Sequence, residues 1–204
     1  MWQRVRHSSD WQFVGLNLLL VVLMQLIGQE HLRYQHDWLH SGEVWRIVTA
    51  NWVHVGWEHM ALNILGLAIC VSLANPRWSV KRWLWQSLCI GVGISILFTL
   101  RNPDLQWYAG FSGILFGLYF LAAVDLYARD RLIALLMGGA IVLKVIIEQY
   151  TPFDLDSSDL IGAPVIVDAH LYGLLLAIVI GIGIAIALAW ARYTMNRSPT
   201  RQSD

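Results

Sequence analysis

Six apolar blocks, each close to the length of a membrane crossing, take up most of this chain and leave it few ways to fold. They run over about Trp11–Ile27, Glu58–Asn75, Trp83–Leu100, Tyr108–Tyr127, Leu132–Tyr150 and Pro164–Trp190. A helical crossing needs about 20 predominantly apolar residues, so six would use roughly 120 and leave only short connections. Composition agrees: 57% of residues are hydrophobic, 14% are charged, and the mean hydropathy is +0.53. Soluble domains carry about 25% charged residues. A large soluble domain is thereby excluded, as is intrinsic disorder, which requires low hydrophobicity. Tryptophans such as Trp11, Trp57, Trp83 and Trp107 stand at or near block ends, the aromatic-belt pattern of a bilayer protein.

Orientation follows from where the basic residues sit, because 14 basic residues balance 14 acidic ones and net charge is uninformative. No nucleic-acid partner is expected. Arg4, Arg6, Arg77, Lys81, Arg82, Arg129, Arg131, Arg192, Arg197 and Arg201 fall on one side of a six-span arrangement. Arg33, Arg46 and Arg101 fall on the other, and Lys144 lies within a span. The positive-inside rule makes the richer side cytoplasmic. Both termini are then cytoplasmic, as an even number of spans requires. No small-residue cleavage site follows the first block, so it is expected to be a retained helix rather than a signal peptide. The expected division is a cytoplasmic segment over 1–10, a six-helix domain over 11–191 and a cytoplasmic tail over 192–204. One connection is long, about Gly28–Trp57 on the external side; its aromatic composition suits an interfacial position. Cys70 and Cys89 lie inside apolar blocks and are expected to be buried thiols rather than a disulfide framework.

Polar residues within spans are costly and are functional candidates by default. His59 and Asn63 open the second span four residues apart, on one helix face. Ser112 lies in Gly110-Phe111-Ser112-Gly113 at the start of the fourth, and His170 in Ala169-His170-Leu171-Tyr172-Gly173 early in the sixth. Even-numbered spans begin on the external side, so these three clusters share one depth, one or two turns below that surface. Small residues recur every fourth position at Ala169, Gly173, Ala177, Gly181 and Ala185, and at Gly113 and Gly117. Such faces let helices approach closely in lipid. Packing them together would bring His170 towards Ser112, and a serine hydroxyl beside a histidine is an activated nucleophile. Asn63, His59 and the Ser112 backbone N–H could serve a developing oxyanion. Each residue alone is ordinarily structural; their shared depth is what argues for a site.

At these residues the chain resembles the rhomboid intramembrane serine proteases. The resemblance rests on Trp45-Arg46, His54, His59-xxx-Asn63, Gly110-x-Ser112-Gly113 and Ala169-His170-xx-Gly173, in that order, over about Glu43 to Ala177. It implies an all-α membrane protein: a six-transmembrane-helix rhomboid-like bundle with a long interfacial first loop. It implies a Ser112–His170 dyad without a carboxylate, Ser112 as nucleophile and His170 as base and then acid. His59 and Asn63 would line the oxyanion hole, with Gly110 and Gly113 beside the nucleophile. Trp45 and Arg46 would belong to the first loop, His54 would support the site, and Gly173 and Ala177 would pack it. The fifth span would be a lateral gate for a substrate helix. Phe116 stands where many rhomboids carry a tyrosine that stacks on the histidine; it can stack but cannot donate a hydrogen bond. No metal or organic cofactor is implied. With neither an N-terminal cytosolic domain nor a seventh span expected, the chain is similar in size to the rhombosortase subfamily, associated with proteins bearing C-terminal glycine-rich anchors. The expected location is a bacterial inner (cell) membrane, with the site opening to the external or periplasmic side and a membrane-anchored protein as substrate.

Other chemistry is poorly supported. His31, His36 and His40 lie in a loop and are not expected to hold a metal, and Glu58-His59 is not a His-Glu-x-x-His motif. Asp154, Asp156 and Asp159 are read as solvated external acids, with calcium contact left open. Asp168, two residues from His170, should point elsewhere on a helix. Lys144 and Glu148, four apart, are expected to form an intrahelical pair or to snorkel. A catalytically silent helix-binding protein and a small transporter are the competing functions. The first would be favoured by a missing Ser or His, and the second by internal repeats and broken helices.

Overall fold

The computed structural model describes residues 8–74, 78–151 and 161–197. Arg4, Arg6, Arg77, Arg201 and the acids Asp154, Asp156 and Asp159 lie outside them. The chain is mostly helical. Five described helices are long and apolar enough to cross a membrane: α1 (Ser8–Ile27), α5 (Trp57–Ala74), α6 (Val80–Arg101), α8 (Arg131–Tyr150) and α9 (Val167–Arg197). The expected fourth span appears as the shorter apolar helix α7 (Ser112–Leu126). Local sequence sets the helix starts. Ser79 caps α6 by accepting from the Arg82 N–H at 3.2 Å, and Asp130 caps α8 by accepting from the Ile133 N–H at 3.1 Å.

The long connection between α1 and α5 is ordered into short pieces: α2 (Gln29–Leu32), β1 (Tyr34–Gln35), α3 (Trp38–Ser41) and α4 (Arg46–Thr49). Strand β1 pairs antiparallel with β2 (Trp107–Tyr108), Tyr34 opposite Tyr108 and Gln35 opposite Trp107. This corrects the boundary expected for the fourth span. Tyr108 is apolar enough to read as the start of the helix, yet it pairs as strand with its neighbour Trp107, and the helix begins only at Ser112. Buried Arg46 holds the connection together. Its guanidinium donates to both Glu43 carboxylate oxygens, at 2.9 and 3.1 Å, and to the carbonyls of Glu30 and Arg33. Trp45 is half exposed and donates its indole N–H to the His31 carbonyl. Asn51 fastens the connection to α6, donating to Gly91 O and Ser95 Oγ at 3.0 Å each.

The core centres on α7, which packs chiefly against α9 and also against α5, α6 and α8. Ten of its residues are buried, among them Ile114, Leu118 and Ala122. The outer helices carry exposed apolar side chains such as Leu19, Leu26, Leu135, Leu143, Val179 and Ile186. A monomer in water would not leave so much apolar surface bare. On α8 only Ala134, Met137 and Val145 are buried, and the helix packs chiefly against α7.

Candidate active site

The serine's position is set by a break in the backbone. Gly110 has φ 152°, in a region that suits glycine. A Cβ there would stand 2.7 Å from the His59 ring. Its N–H donates to the Ala50 carbonyl at 3.0 Å, and its carbonyl accepts from the Tyr108 hydroxyl at 2.7 Å. The chain thus turns from β2 into α7 at a fixed angle, with Ser112 as the first helical residue. At that position the first-turn N–H groups have no intrahelical acceptor.

His170 lies in the first turn of α9, buried, and its Nε2 is 2.9 Å from Ser112 Oγ. The ring stacks face to face on Phe116, with centroids 4.0 Å apart and an interplanar angle of 0°. The close approach of α7 and α9 depends on missing side chains. A Cβ on Gly113 would come within 2.7 Å of the Ala169 carbonyl oxygen, and one on Gly117 within 2.7 Å of the Gly173 carbonyl oxygen. A Cβ on Gly173 would run into the Gly113 carbonyl. Ala177 lies beside Gly117, so the small-residue faces meet as expected.

His59 and Asn63, both on α5, line one cavity of about 360 Å³ together with Ser112, His170, Phe116 and Glu148. Asn63 is buried and donates from Nδ2 to the His59 carbonyl at 2.9 Å. His54, ahead of α5, is buried with its ring edge-on to His59, centroids 5.1 Å apart. Burial, and secondarily the neighbouring His59, push the His54 pKa down to about 3. Trp45 and Arg46 are not among the residues lining this cavity; they belong to the ordered connection.

One neighbour was not anticipated. Glu148, near the end of α8, places Oε2 2.8 Å from His170 Nδ1 and Oε1 2.6 Å from Lys144 Nζ. The intrahelical pair with Lys144 is present, but the same carboxylate also meets the histidine, so a carboxylate stands where the resemblance implied none. The depth argument could have found it: the last turn of α8 reaches the level where α7 and α9 begin. Asp168 points away, as expected, and accepts from the Asn102 side chain. Both cysteines are free thiols.

Comparison with known proteins bears on the family of the chain. A family model described as a rhomboid domain matches residues 41–187. Rhomboid protease GluP of Bacillus subtilis (strain 168) is 24% identical over 173 residues, covering 79% of this chain and 34% of that protein. Rhomboid-like protease 5 of Toxoplasma gondii is 34% identical over 77 residues, 38% of this chain and 9% of that protein. The chloroplastic Rhomboid-like protein 11 of Arabidopsis thaliana is 28% identical over 113 residues, 53% of this chain and 40% of that protein. The chain therefore spans well under half the length of each of these relatives. With the matched domain covering most of its length and its apolar helices suited to a bilayer, the chain is an integral membrane protein that belongs to the rhomboid family.

Proposed function

We propose that this protein is an intramembrane serine endopeptidase that cuts membrane-anchored proteins in or near a transmembrane segment. The observation that carries the reading is the 2.9 Å contact between Ser112 Oγ and His170 Nε2, opening onto the cavity. In the first step His170 takes the Ser112 proton as Oγ bonds to the scissile carbonyl carbon. The oxyanion that forms faces the Ser112 N–H, with His59 and Asn63 as side-chain donors. Collapse breaks the C–N bond, and the His170 imidazolium gives its proton to the leaving amine. Water, deprotonated by His170, then hydrolyses the acyl ester and regenerates Ser112.

Water must reach this site inside a bilayer. Helix α7 has 15 residues, about 22 Å at ~1.5 Å per residue, against a hydrocarbon core about 30 Å thick. As the fourth of six crossings it would leave Ser112 sunk below the external surface in a cavity far larger than one water requires. Both termini would be cytoplasmic, with α8 as the side through which a substrate helix enters. A helix with satisfied peptide bonds must unwind before attack, so small or helix-breaking residues near the cut favour cleavage. The rhombosortase resemblance narrows the substrate class to proteins with a C-terminal glycine-rich anchor.

The test is co-expression with a reporter carrying such an anchor, with cleavage read by mass spectrometry. Cleavage by the wild type, lost in Ser112→Ala and in His170→Ala, is expected. A reporter whose scissile sequence is set in a polyleucine helix should be cut at least tenfold more slowly. Cleavage of an ordinary single-span reporter but not of the glycine-rich one would overturn the substrate class alone. Binding of both reporters with cleavage of neither would favour a silent helix-binding protein.

A further inference from the structure

We infer that Glu148 is the positioning carboxylate of His170, completing a Ser112–His170–Glu148 chain whose third member comes from α8. The inference rests on the proposed chemistry of Ser112 and His170. Two contacts define it: Glu148 Oε2 to His170 Nδ1 at 2.8 Å, and His170 Nε2 to Ser112 Oγ at 2.9 Å. An ionised carboxylate can only accept, so Nδ1 carries the proton and donates to it. Nε2 is left with its lone pair facing the Ser112 hydroxyl, the tautomer a general base requires. The same contact stabilises the imidazolium formed when Nε2 takes the serine proton, without any proton reaching Glu148.

The surroundings fit that role. The side chains of His170 and Glu148 are 5% and 11% exposed, so little water competes for their contact. The second Glu148 oxygen is held by Lys144 at 2.6 Å, which balances its charge and fixes its rotamer. Phe116 holds the plane of the ring by stacking, and Glu148 fixes its rotation within that plane. Asp168, the carboxylate nearest in sequence, is engaged by Asn102 and is not the partner. Because Glu148 rides on α8, the base is oriented only while that helix is packed against α7 and α9.

The test uses the full chain in detergent, a fluorophosphonate probe to read serine reactivity, and NMR of the imidazole nitrogens. In the wild type, Nδ1 should carry the proton, with the far-downfield resonance of a short charge-assisted N–H···O bond. That resonance should persist in Ser112→Ala and vanish in Glu148→Gln. Glu148→Gln should lower the maximal labelling rate by about 100-fold to 10,000-fold, the scale seen when a triad carboxylate is neutralised. The probe concentration at half-maximal rate should change less than about threefold, since probe binding is untouched. A Glu148→Gln rate within threefold of wild type overturns the inference. So does a wild-type proton on Nε2, a result that needs no variant to fold. Full labelling of Ser112→Ala would instead overturn the proposed protease chemistry, which keeps the two failures apart.

Discussion

At the scale of single residues, the site depends on side chains whose protonation and orientation are fixed by what surrounds them. His54 shows how burial does this. Its pKa is held down at about 3, chiefly by burial and then by His59, whereas an unfolded histidine titrates near 6.5. As pH falls the unfolded chain therefore takes up the proton first. The neutral ring's contribution to stability is complete above about pH 6.5 and is lost progressively towards pH 3. Thermal unfolding in detergent at pH 7.5 and 4.5 checks this. His54→Gln should lose clearly less Tm on acidification than the wild type, and an equal loss would show that His54 does not drive the acid sensitivity. Ser112 and His170 were legible in the sequence because each sits in a costly place at a shared depth. Phe116 was legible only through the resemblance, which places a ring that stacks on the histidine four residues after Ser112. Glu148 was not: its i,i+4 partner Lys144 gave it a complete explanation, and an intrahelical pair conceals a contact made with another helix.

At the scale of elements, glycine placement decides whether the two key residues meet. A methyl group on Gly173 would collide with the Gly113 carbonyl, which is backbone and cannot rotate away. Gly173→Ala should force α7 and α9 apart, costing about 1–3 kcal/mol as overpacked contacts do, and should slow probe labelling of Ser112. Gly183→Ala on the same helix meets nothing within 4 Å and should leave stability within about 0.5 kcal/mol. Melting curves and labelling rates of the two variants side by side would show it; equal effects would mean that the close approach is not what matters. Five spans were readable from length and apolar content, and the small-residue stripes from their period of four. The fourth block starts later than its apolar content suggests. Tyr108 is as apolar as a helix residue, and its pairing with Tyr34 is a long-range contact that no local pattern carries. The short helices between α1 and α5 were hidden for a related reason: four-residue pieces are too short for periodicity, and their order comes from Arg46 and Asn51.

At the scale of the whole molecule, the fold places an ordered connection, a short central helix and an outer helix around one cavity. The connection fixes the approach to Ser112 through Ala50 and Gly110, and α9 supplies His170. Helix α8 supplies the carboxylate that faces that histidine. Ser112 and His170 stand 2.9 Å apart in a mainly apolar cavity whose few polar groups include His59, Asn63 and Glu148. The most direct test of the central claim is fluorophosphonate labelling of the purified chain, comparing wild type, Ser112→Ala and His170→Ala, with folding verified and an active rhomboid labelled in parallel. The account requires wild-type labelling that Ser112→Ala abolishes and His170→Ala reduces at least 100-fold. Labelling that survives Ser112→Ala, or a folded wild type that takes up no probe while the control does, would contradict it.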